Sequence, residues 1–487
     1  MNSSVMNSQR KTKRGSSRFI CKDIGSDETI KIGENIFQLL ALKVRQVNPM
    51  RKRHHIMRLI CGISVYLFFL MLPGASQAET YDYPFSNPYI ATIVGTPKEH
   101  RSDILQNITI RTGTLEKEVG PKIPDIFWYQ RGLDYSFSLQ KGKAPLVFVI
   151  AGTGADHKSE KNVILLRAFY QAGFHVVGLT SPSHHSFITT ASRTSVPGHM
   201  EEDSEDLYFV MQRVMNDIEG EADISSYFLT GYSLGGAHAA FVSKIDEAQK
   251  AFNFDQVLLL NPPLSMYSSV SKLDRMLENI PGGVDHFNEF FNQLVRRISK
   301  VYNRSSTVEF NETLVFDAFK VDQPRDEKLA AIIGTAFRFS AANMIFTADT
   351  MTDFGFLKSK EVKLKTGDPL QDYLRLCMRI GFTDYFHEFF FPYFKKKYPS
   401  LTRESLVNQL SLLHIEPYLK GASKISLVHN RDDVILVEGD IGTFEDIFGS
   451  RAKFFPTGGH LGNLQQRETL AYIVNSFKKA DSVQVVF

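Results

Sequence analysis

The sequence predicts an α/β protein: a mostly parallel central sheet with helices on both faces and one inserted, mainly helical subdomain. Short, almost continuously apolar segments alternate with amphipathic ones, which is typical of buried parallel strands joined by helices. This alternation stops between residues 264 and 421. The chain has 487 residues, of which 43% are hydrophobic and 3 are cysteines. These values predict a sizeable core and exclude a small disulfide-stapled fold.

Six apolar segments, rich in β-branched residues and bounded by turn signals, are predicted to be buried strands. They span residues 144–150, 175–179, 227–230, 257–260, 425–428 and 453–455. Helices are predicted at residues 162–172, 203–218, 234–249, 440–449 and 465–479. Residues 89–140 contain Thr-, Ile- and Tyr-containing runs with glycine turns, and we expect them to add antiparallel strands at one edge of the sheet.

The interval without strand signals predicts a core in two parts, residues 79–264 and 422–487, separated by a helical cap at residues 265–421. This interval is far longer than an ordinary loop of about 4–6 residues. It also carries closely spaced aromatic side chains at Phe386, Phe389, Phe390, Phe391 and Phe394. We expect the segment to be an inserted, mainly helical subdomain.

The first 78 residues are typical of a leader. Residues 50–58 are basic, residues 59–72 are apolar, and Pro73-Gly74 precedes the small residues that end at Ala78. This order predicts a signal peptide at residues 50–78 and a secreted or periplasmic protein. The apolar run is shorter than the roughly 20 residues that span a bilayer, so an uncleaved anchor is the alternative. Residues 1–49 are expected to be an annotation extension or a disordered tail.

The formal net charge of +3 is distributed unevenly along the chain. Residues 1–78 contain 13 Lys and Arg against 4 Asp and Glu, which leaves 43 basic and 49 acidic residues in the remainder. A mature chain cut after Ala78 would therefore be acidic, and no basic patch for nucleic acid is expected. It would keep one cysteine, Cys377, so no intramolecular disulfide is expected.

A candidate nucleophile lies between a predicted strand and a predicted helix. The residues Gly231-Tyr232-Ser233-Leu234-Gly235 form a G-x-S-x-G motif, which in this context is a strained turn that projects the serine hydroxyl. The glycines leave room that a Cβ would obstruct. The free N–H groups at the start of the helix favour negative charge developing at the serine.

An acid and a histidine follow the serine in chain order, each after a predicted strand. Asp432 and Asp433 come after residues 425–428, and His460 lies in Gly458-Gly459-His460-Leu461-Gly462. A neutral His460 would take the proton from Ser233, and a carboxylate would fix its tautomer and stabilise the imidazolium. The spacing between Asp433 and His460 leaves room for one helix between the last two strands.

With these motifs the sequence resembles the α/β-hydrolase superfamily, over about residues 144–264 and 423–479, as a secreted esterase- or lipase-like member with a large cap. The resemblance implies Ser233 as nucleophile, His460 as general base and Asp433 as acid, with Asp432 as the neighbouring alternative. It implies an oxyanion hole made by the backbone N–H groups of Leu234 and Thr153, with Gly154 as the fallback donor. Many members have His-Gly where this chain has Ala151-Gly152.

The implied activity is hydrolysis of carboxylic esters through an acyl-serine intermediate, without cofactor or metal. Alternatives are an acyltransferase, a thioesterase or a peptidase with the same residues, or a non-catalytic binding protein. The expected partner is a small-molecule or lipid-like ester, with no nucleic acid and with membrane contact only through the leader or a lipid substrate. The sequence leaves the oligomeric state and the acyl length open.

Other polar clusters are expected to be structural. His184 and His185 are adjacent, so in extended chain their side chains would point apart and make poor metal co-ligands. The acidic residues 201–206 are expected to oppose a helix dipole. The phenylalanines near residue 390 are expected either to form the cap core or to line an apolar wall facing Ser233.

Overall fold

The computed structural model describes residues 81–287, 289–290, 292–293, 296, 325–478 and 485. The predicted signal peptide at residues 50–78 and the tail at residues 1–49 lie outside these ranges. The leader and its cleavage site therefore stay predictions.

One eight-stranded sheet forms the centre of the described chain, with the strand order β1-β2-β4-β3-β5-β6-β7-β8. Strands β3 to β8 pair in parallel, whereas β2 is antiparallel to both β1 and β4. The strands are β1 Arg111–Glu116, β2 Gly132–Ser138, β3 Ala144–Ile150, β4 His175–Leu179, β5 Ile224–Tyr232, β6 Gln256–Leu260, β7 Ile425–Asn430 and β8 Ala452–Phe455.

The predicted fold class is confirmed. All six predicted buried strands are present, and β3 and β4 have the predicted ends. The antiparallel pair β1 and β2 lies at the predicted edge of the sheet. One part of that edge prediction is wrong, because Pro88–Val94 forms a helix, α1, whose first turn is capped by the Asn87 side chain.

Helices connect the strands and cover the two faces of the sheet. In the core these helices are α2 Glu160–Gln171, α3 His185–Thr190, α4 Met200–Asp217, α5 Leu234–Gln249, α13 Asp440–Phe448 and α14 Arg467–Asn475. Side chains of β3 alternate between two buried clusters: Leu146 and Phe148 face one side, and Val147 and Val149 face the other. Burial on both faces explains why the strands are continuously apolar.

The chain between β6 and β7 is helical wherever the structure describes regular elements, apart from isolated bridges. Its α-helices are α6 Met266–Arg275, α7 Asp326–Thr352, α8 Gln371–Cys377, α9 Phe382–Tyr385, α10 Phe391–Lys397, α11 Arg403–Gln409 and α12 Glu416–Gly421. A π-helical turn, Phe386–Phe390, joins α9 to α10. Strands β6 and β7 nevertheless pair directly, so this helical region is an insertion into one sheet.

The longest helix of the insertion, α7, has the length and apolar composition of a membrane span. More than half of its most apolar window is buried against other described residues. Its side chains belong to the same buried cluster as those of the sheet. A helix packed in this way is a core helix of the domain.

Candidate active site

The residues singled out from the sequence meet at one edge of the sheet. Ser233 follows β5, Asp433 follows β7 and His460 follows β8, and all three strands are parallel. The carboxyl ends of parallel strands lie on the same edge, where open α/β sheets place their ligand sites. Strand order, not sequence distance, therefore brings these side chains together.

Ser233 occupies a strained turn between β5 and α5. Its backbone has φ 55° and ψ −128°, a conformation that residues with a Cβ rarely adopt. Its N–H donates to the Leu260 carbonyl, 2.8 Å away, which ties the turn to β6. A Cβ at Gly231 would clash with the Gly235 carbonyl, and one at Gly235 would clash with the Ile150 carbonyl. The G-x-S-x-G spacing is thus a packing requirement of this turn.

Three side chains form a continuous hydrogen-bonded chain. The Ser233 Oγ lies 2.9 Å from His460 Nε2, and His460 Nδ1 lies 3.1 and 3.0 Å from the two carboxylate oxygens of Asp433. A carboxylate only accepts, so Nδ1 carries the proton and Nε2 is free to accept from the serine hydroxyl. This is the geometry of a nucleophile, a general base and an orienting acid.

Asp433 is completely buried and held from several sides. Asn261 Nδ2 donates to it at 2.8 Å, and the Ile435 N–H donates at 3.1 Å. Burial alone would raise the pKa of the Asp433 carboxyl, but the charge and hydrogen bond of His460, with help from His429 and Asn261, bring the pKa below its usual value. Asp433 therefore stays ionised beside His460.

Asp432, the alternative acid, faces a different group. Its carboxylate accepts hydrogen bonds from the N–H groups of Gly458 and Gly459, at 3.1 and 2.9 Å. Burial raises the pKa of Asp432 in spite of these bonds. The structure thus separates the two carboxylates: Asp433 holds the His460 ring, and Asp432 holds the loop that carries it.

The loop after β3 lies against the nucleophile turn, as the oxyanion prediction requires. A Cβ on Gly152 would lie 3.1 Å from the Ser233 Cβ. Neither the Thr153 N–H nor the Leu234 N–H donates to another described residue, whereas the Gly154 N–H donates to Ser183 Oγ at 2.9 Å. Thr153 and Leu234 therefore keep free donors near Ser233, and the fallback donor Gly154 is engaged elsewhere.

The N-terminal part of the described chain braces the histidine loop. Thr92 Oγ1, in α1, accepts from the His460 N–H at 2.9 Å and donates to the Pro88 carbonyl. Tyr81 donates to the Thr457 carbonyl and accepts from Asn463. No local motif marks these residues or Asn261, so the sequence motifs did not point to them. Asn261 had one available signal, its position directly after a strand that ends at the same edge.

A cavity of about 390 Å³ opens at Ser233 and His460. Its wall is mainly apolar and comes from the nucleophile region and the insertion, including Met266, Val270, Leu273, Ile333 and Phe337. The phenylalanines near residue 390 do not line it. Phe386, Phe389, Phe390 and Phe394 are at most 1% exposed and pack on one another or, for Phe389, on Tyr385. The alternative that this stripe forms the wall facing Ser233 is therefore wrong.

One other expectation needs correction. The side chains of His184 and His185 do not point apart, since their ring centroids lie 4.2 Å from each other. The extended chain ends here because α3 begins at His185. The acidic residues Glu201, Glu202 and Asp203 lie in the first turn of α4, as expected, and the structure adds that Asp203 and Asp206 are buried and bind the Gly198 N–H and Arg193. Within the described ranges, no group of three or more His, Cys, Asp or Glu is placed to hold a metal ion.

The mostly parallel eight-stranded sheet, the strained serine turn at its edge and the order serine, acid, histidine define the α/β-hydrolase fold. In this chain a helical insertion lies between β6 and β7, which pair directly in the sheet. The chain therefore has the fold that its motifs resembled.

No family model matches the chain, and no curated protein matches it by sequence. Among solved structures it is similar to a serine hydrolase of Cycloclasticus zankles, with 10% identity, a TM-score of 0.39 and coverage of 76% of this chain and 100% of the other. An esterase of Pyrococcus furiosus matches with 10% identity, a TM-score of 0.35 and coverage of 79% and 93%. The thioesterase domain of the curacin biosynthetic pathway matches with 13% identity, a TM-score of 0.34 and coverage of 75% and 98%. At these values the fold assignment rests on the chain's own strand order and serine turn.

Proposed function

We propose that this protein is a serine hydrolase that cleaves carboxylic esters through an acyl-Ser233 intermediate. The observation that carries the proposal is the hydrogen-bonded chain from Ser233 through His460 to the buried Asp433, with the Ser233 Oγ 2.9 Å from the imidazole. These contacts occur at a strained turn whose conformation aims the hydroxyl into a cavity. A purely structural serine has no need of such a turn.

In the first half of the reaction, His460 Nε2 takes the Ser233 proton while Oγ attacks the ester carbonyl. The N–H groups of Leu234 and Thr153 stabilise the oxygen of the tetrahedral intermediate, and Asp433 stabilises the imidazolium. His460 then gives the proton to the departing alkoxide, which leaves as the alcohol. The acyl group stays on Ser233.

In the second half, water enters and His460 removes one of its protons as the oxygen attacks the acyl-enzyme. Collapse of the second tetrahedral intermediate releases the carboxylic acid and returns the proton to Ser233. An alcohol, thiol or amine acceptor would use the same residues, so the transferase remains the nearest alternative. No cofactor or metal enters either half.

The apolar wall of the cavity favours esters with a hydrophobic acyl or alcohol group. Leu273, Ile333 and Phe337 offer no charge to a substrate and shield the ester from bulk water. We propose small-molecule or lipid-like esters as the substrate class. Secretion or periplasmic export through residues 50–78 belongs to the same proposal, with retention by an uncleaved leader as the alternative.

A fluorophosphonate probe tests the nucleophile directly. We expect covalent labelling of the wild-type protein and no labelling of Ser233→Ala, together with loss of ester hydrolysis over a panel of p-nitrophenyl acyl esters. Ser269→Ala is the matched control, because Ser269 lines the same cavity outside the hydrogen-bonded chain. It should still be labelled. A folded wild-type protein that neither reacts with the probe nor hydrolyses any ester would contradict the proposal.

A further inference from the structure

A second cavity, of about 510 Å³, lies next to the one at Ser233. Ser340 of α7 borders both cavities, and Gly154 of the loop after β3 borders the second. The remaining wall includes the apolar side chains of Phe339, Phe346 and Leu370. The two cavities therefore share a wall at Ser340, so a substrate held at Ser233 has a second compartment next to the first.

His184 and His185 bring two imidazoles to this second cavity. His184 Nδ1 accepts from the Ser186 N–H at 3.3 Å and lies 2.7 Å from the Ser186 hydroxyl. His185 Nδ1 accepts from the Gln130 side-chain amide at 3.2 Å. Because each Nδ1 is an acceptor, each neutral ring carries its proton on Nε2.

Both rings are held in the neutral form. Burial, together with the neighbouring His185, lowers the pKa of His184 to about 4, and burial lowers the pKa of His185. Neither Nε2 donates a hydrogen bond to another residue in the described part of the chain, and both side chains are partly accessible. The pair thus offers two free N–H donors to whatever occupies the cavity.

The charges around the pair decide what kind of acceptor fits. Among the described residues no Lys, Arg, Asp or Glu lines the cavity. The charge of Asp156 acts on both rings from nearby. A carboxylate would lose its hydration here without meeting a cation, and it would also meet the repulsion of Asp156. An uncharged oxygen acceptor has neither cost.

The geometry points to a substrate-binding subsite in which the Nε2–H groups of His184 and His185 hold an uncharged, oxygen-bearing aryl or alkyl group. This assignment rests on the proposed ester hydrolysis and sharpens its substrate class. The substrate is an ester with one apolar half beside Ser233 and a second half carrying a ketone, ether or hydroxyl oxygen.

Two sets of esters test the subsite. One set is benzyl butyrates with hydrogen, acetyl or carboxylate in the para position; the other is ethyl 3-arylpropanoates with the same ring substituents in the acyl half. We expect kcat/KM for the acetyl ester of one set to be about tenfold higher than for its unsubstituted parent, because the acetyl oxygen accepts two hydrogen bonds. The carboxylate ester should be a poorer substrate than the acetyl ester.

Substitution of the pair should remove this preference. In His184→Phe and in His185→Phe the ratio of acetyl to unsubstituted kcat/KM should fall to about threefold, because the ring volume stays but one of the two donors is lost. His185→Gln keeps a donor and should retain part of the preference, which also covers the case that a Phe variant fails to fold. His387→Phe, at an exposed histidine outside both cavities, should keep the full ratio.

The outcomes separate the two proposals. Hydrolysis by the wild type without an acetyl preference in either set, a full tenfold preference in both Phe variants, or a preference for the carboxylate would overturn the subsite. Absence of hydrolysis of every ester, together with absent labelling of Ser233, would overturn the proposed function and the subsite with it. A tenfold acetyl preference in the wild type that decreases when either imidazole is replaced by Phe supports the assignment.

Discussion

At the scale of single residues, two adjacent carboxylates have separate roles. The Asp433 oxygens lie 3.0 and 3.1 Å from His460 Nδ1, whereas Asp432 accepts from the N–H groups of Gly458 and Gly459. The two neighbouring carboxylates therefore bind different groups: Asp433 binds the imidazole of His460, and Asp432 binds the backbone of the loop that carries it. The first contact acts on the protonation of His460, and the second acts on the position of its loop.

Exchange of each carboxylate for an amide separates these roles. Asp433→Asn should lower kcat for ester hydrolysis by about 10³–10⁴-fold, because an amide no longer enforces the tautomer that leaves Nε2 free. Asp432→Asn keeps one acceptor for the loop and should lower kcat by less than about tenfold. Steady-state kinetics with a p-nitrophenyl ester measures both. A larger loss for Asp432→Asn would mean that the acid is assigned to the wrong residue.

At the scale of elements, helix α1 packs beside the loop that carries His460 and supports it. The His460 N–H donates to Thr92 Oγ1, and Asn87 at the start of α1 donates to Asp326 at the start of α7. One short helix thus contacts both the loop that carries the histidine and the longest helix of the insertion. The backbone of His460 is thus held by a residue that lies 368 positions away in the sequence.

Removal of the Thr92 hydroxyl should loosen the histidine loop. Thr92→Val keeps the shape of the side chain but leaves the His460 N–H without its acceptor, which costs about 1–3 kcal/mol. We expect kcat to fall about 10- to 100-fold with a smaller change in KM, since a displaced base loses its geometry with the serine. Thr92→Ser restores the acceptor and should restore kcat. Equal kinetics for wild type and Thr92→Val would show that α1 does not position the loop.

At the scale of the whole molecule, the insertion and the sheet share one apolar cluster. Phe148 of β3 and Phe389 of the π-helical turn belong to the same continuous set of buried side chains. A nearly buried ion pair, Arg338 with Asp274 at 2.9 Å, joins α7 to α6 within the insertion. The insertion is therefore a packed part of the structure around the cavity.

Asp203 lies where α4 meets the inserted helices, and it should make stability depend on pH. Burial raises the pKa of Asp203 well above its usual value, and the charges of Asp206 and Glu202 act in the same direction, although the Gly198 N–H opposes them. Tyr385 from the insertion also faces it. Between the unfolded pKa of about 3.9 and the higher folded pKa, the folded state holds a proton that the unfolded state releases. This contribution to stability is therefore complete below about pH 4 and is lost as the pH rises to the folded pKa.

Asp203→Asn removes that titration while keeping an acceptor for the Gly198 N–H. The free energy of unfolding of the variant minus that of wild type should increase as the pH rises from about 4 to 7.5, because only the wild type loses stability over this range. Urea denaturation at several pH values measures the difference. Asp255→Asn changes an exposed carboxylate and serves as the control, with no such trend expected. A constant difference between Asp203→Asn and wild type would show that Asp203 does not titrate differently on folding.

The sequence by itself determined the six parallel strands, the serine turn and the order of Ser233, the acid and His460 along the chain. These features are local. A continuous apolar run indicates a strand that is buried on both faces of a parallel sheet. Glycines at positions 231 and 235 indicate a turn that has no room for a Cβ. The same locality explains why the predicted ends of β3 and β4 agree with the structure.

Only the tertiary structure decided which groups surround those residues. Asn261 beside Asp433, Thr92 beneath His460 and the paired imidazoles at residues 184 and 185 are contacts between distant segments or depend on where a helix begins. The buried phenylalanines of the insertion show the same limit, since their pattern fits a core or a cavity wall equally well. Periodicity tells which side chains avoid water, but only packing tells what they touch.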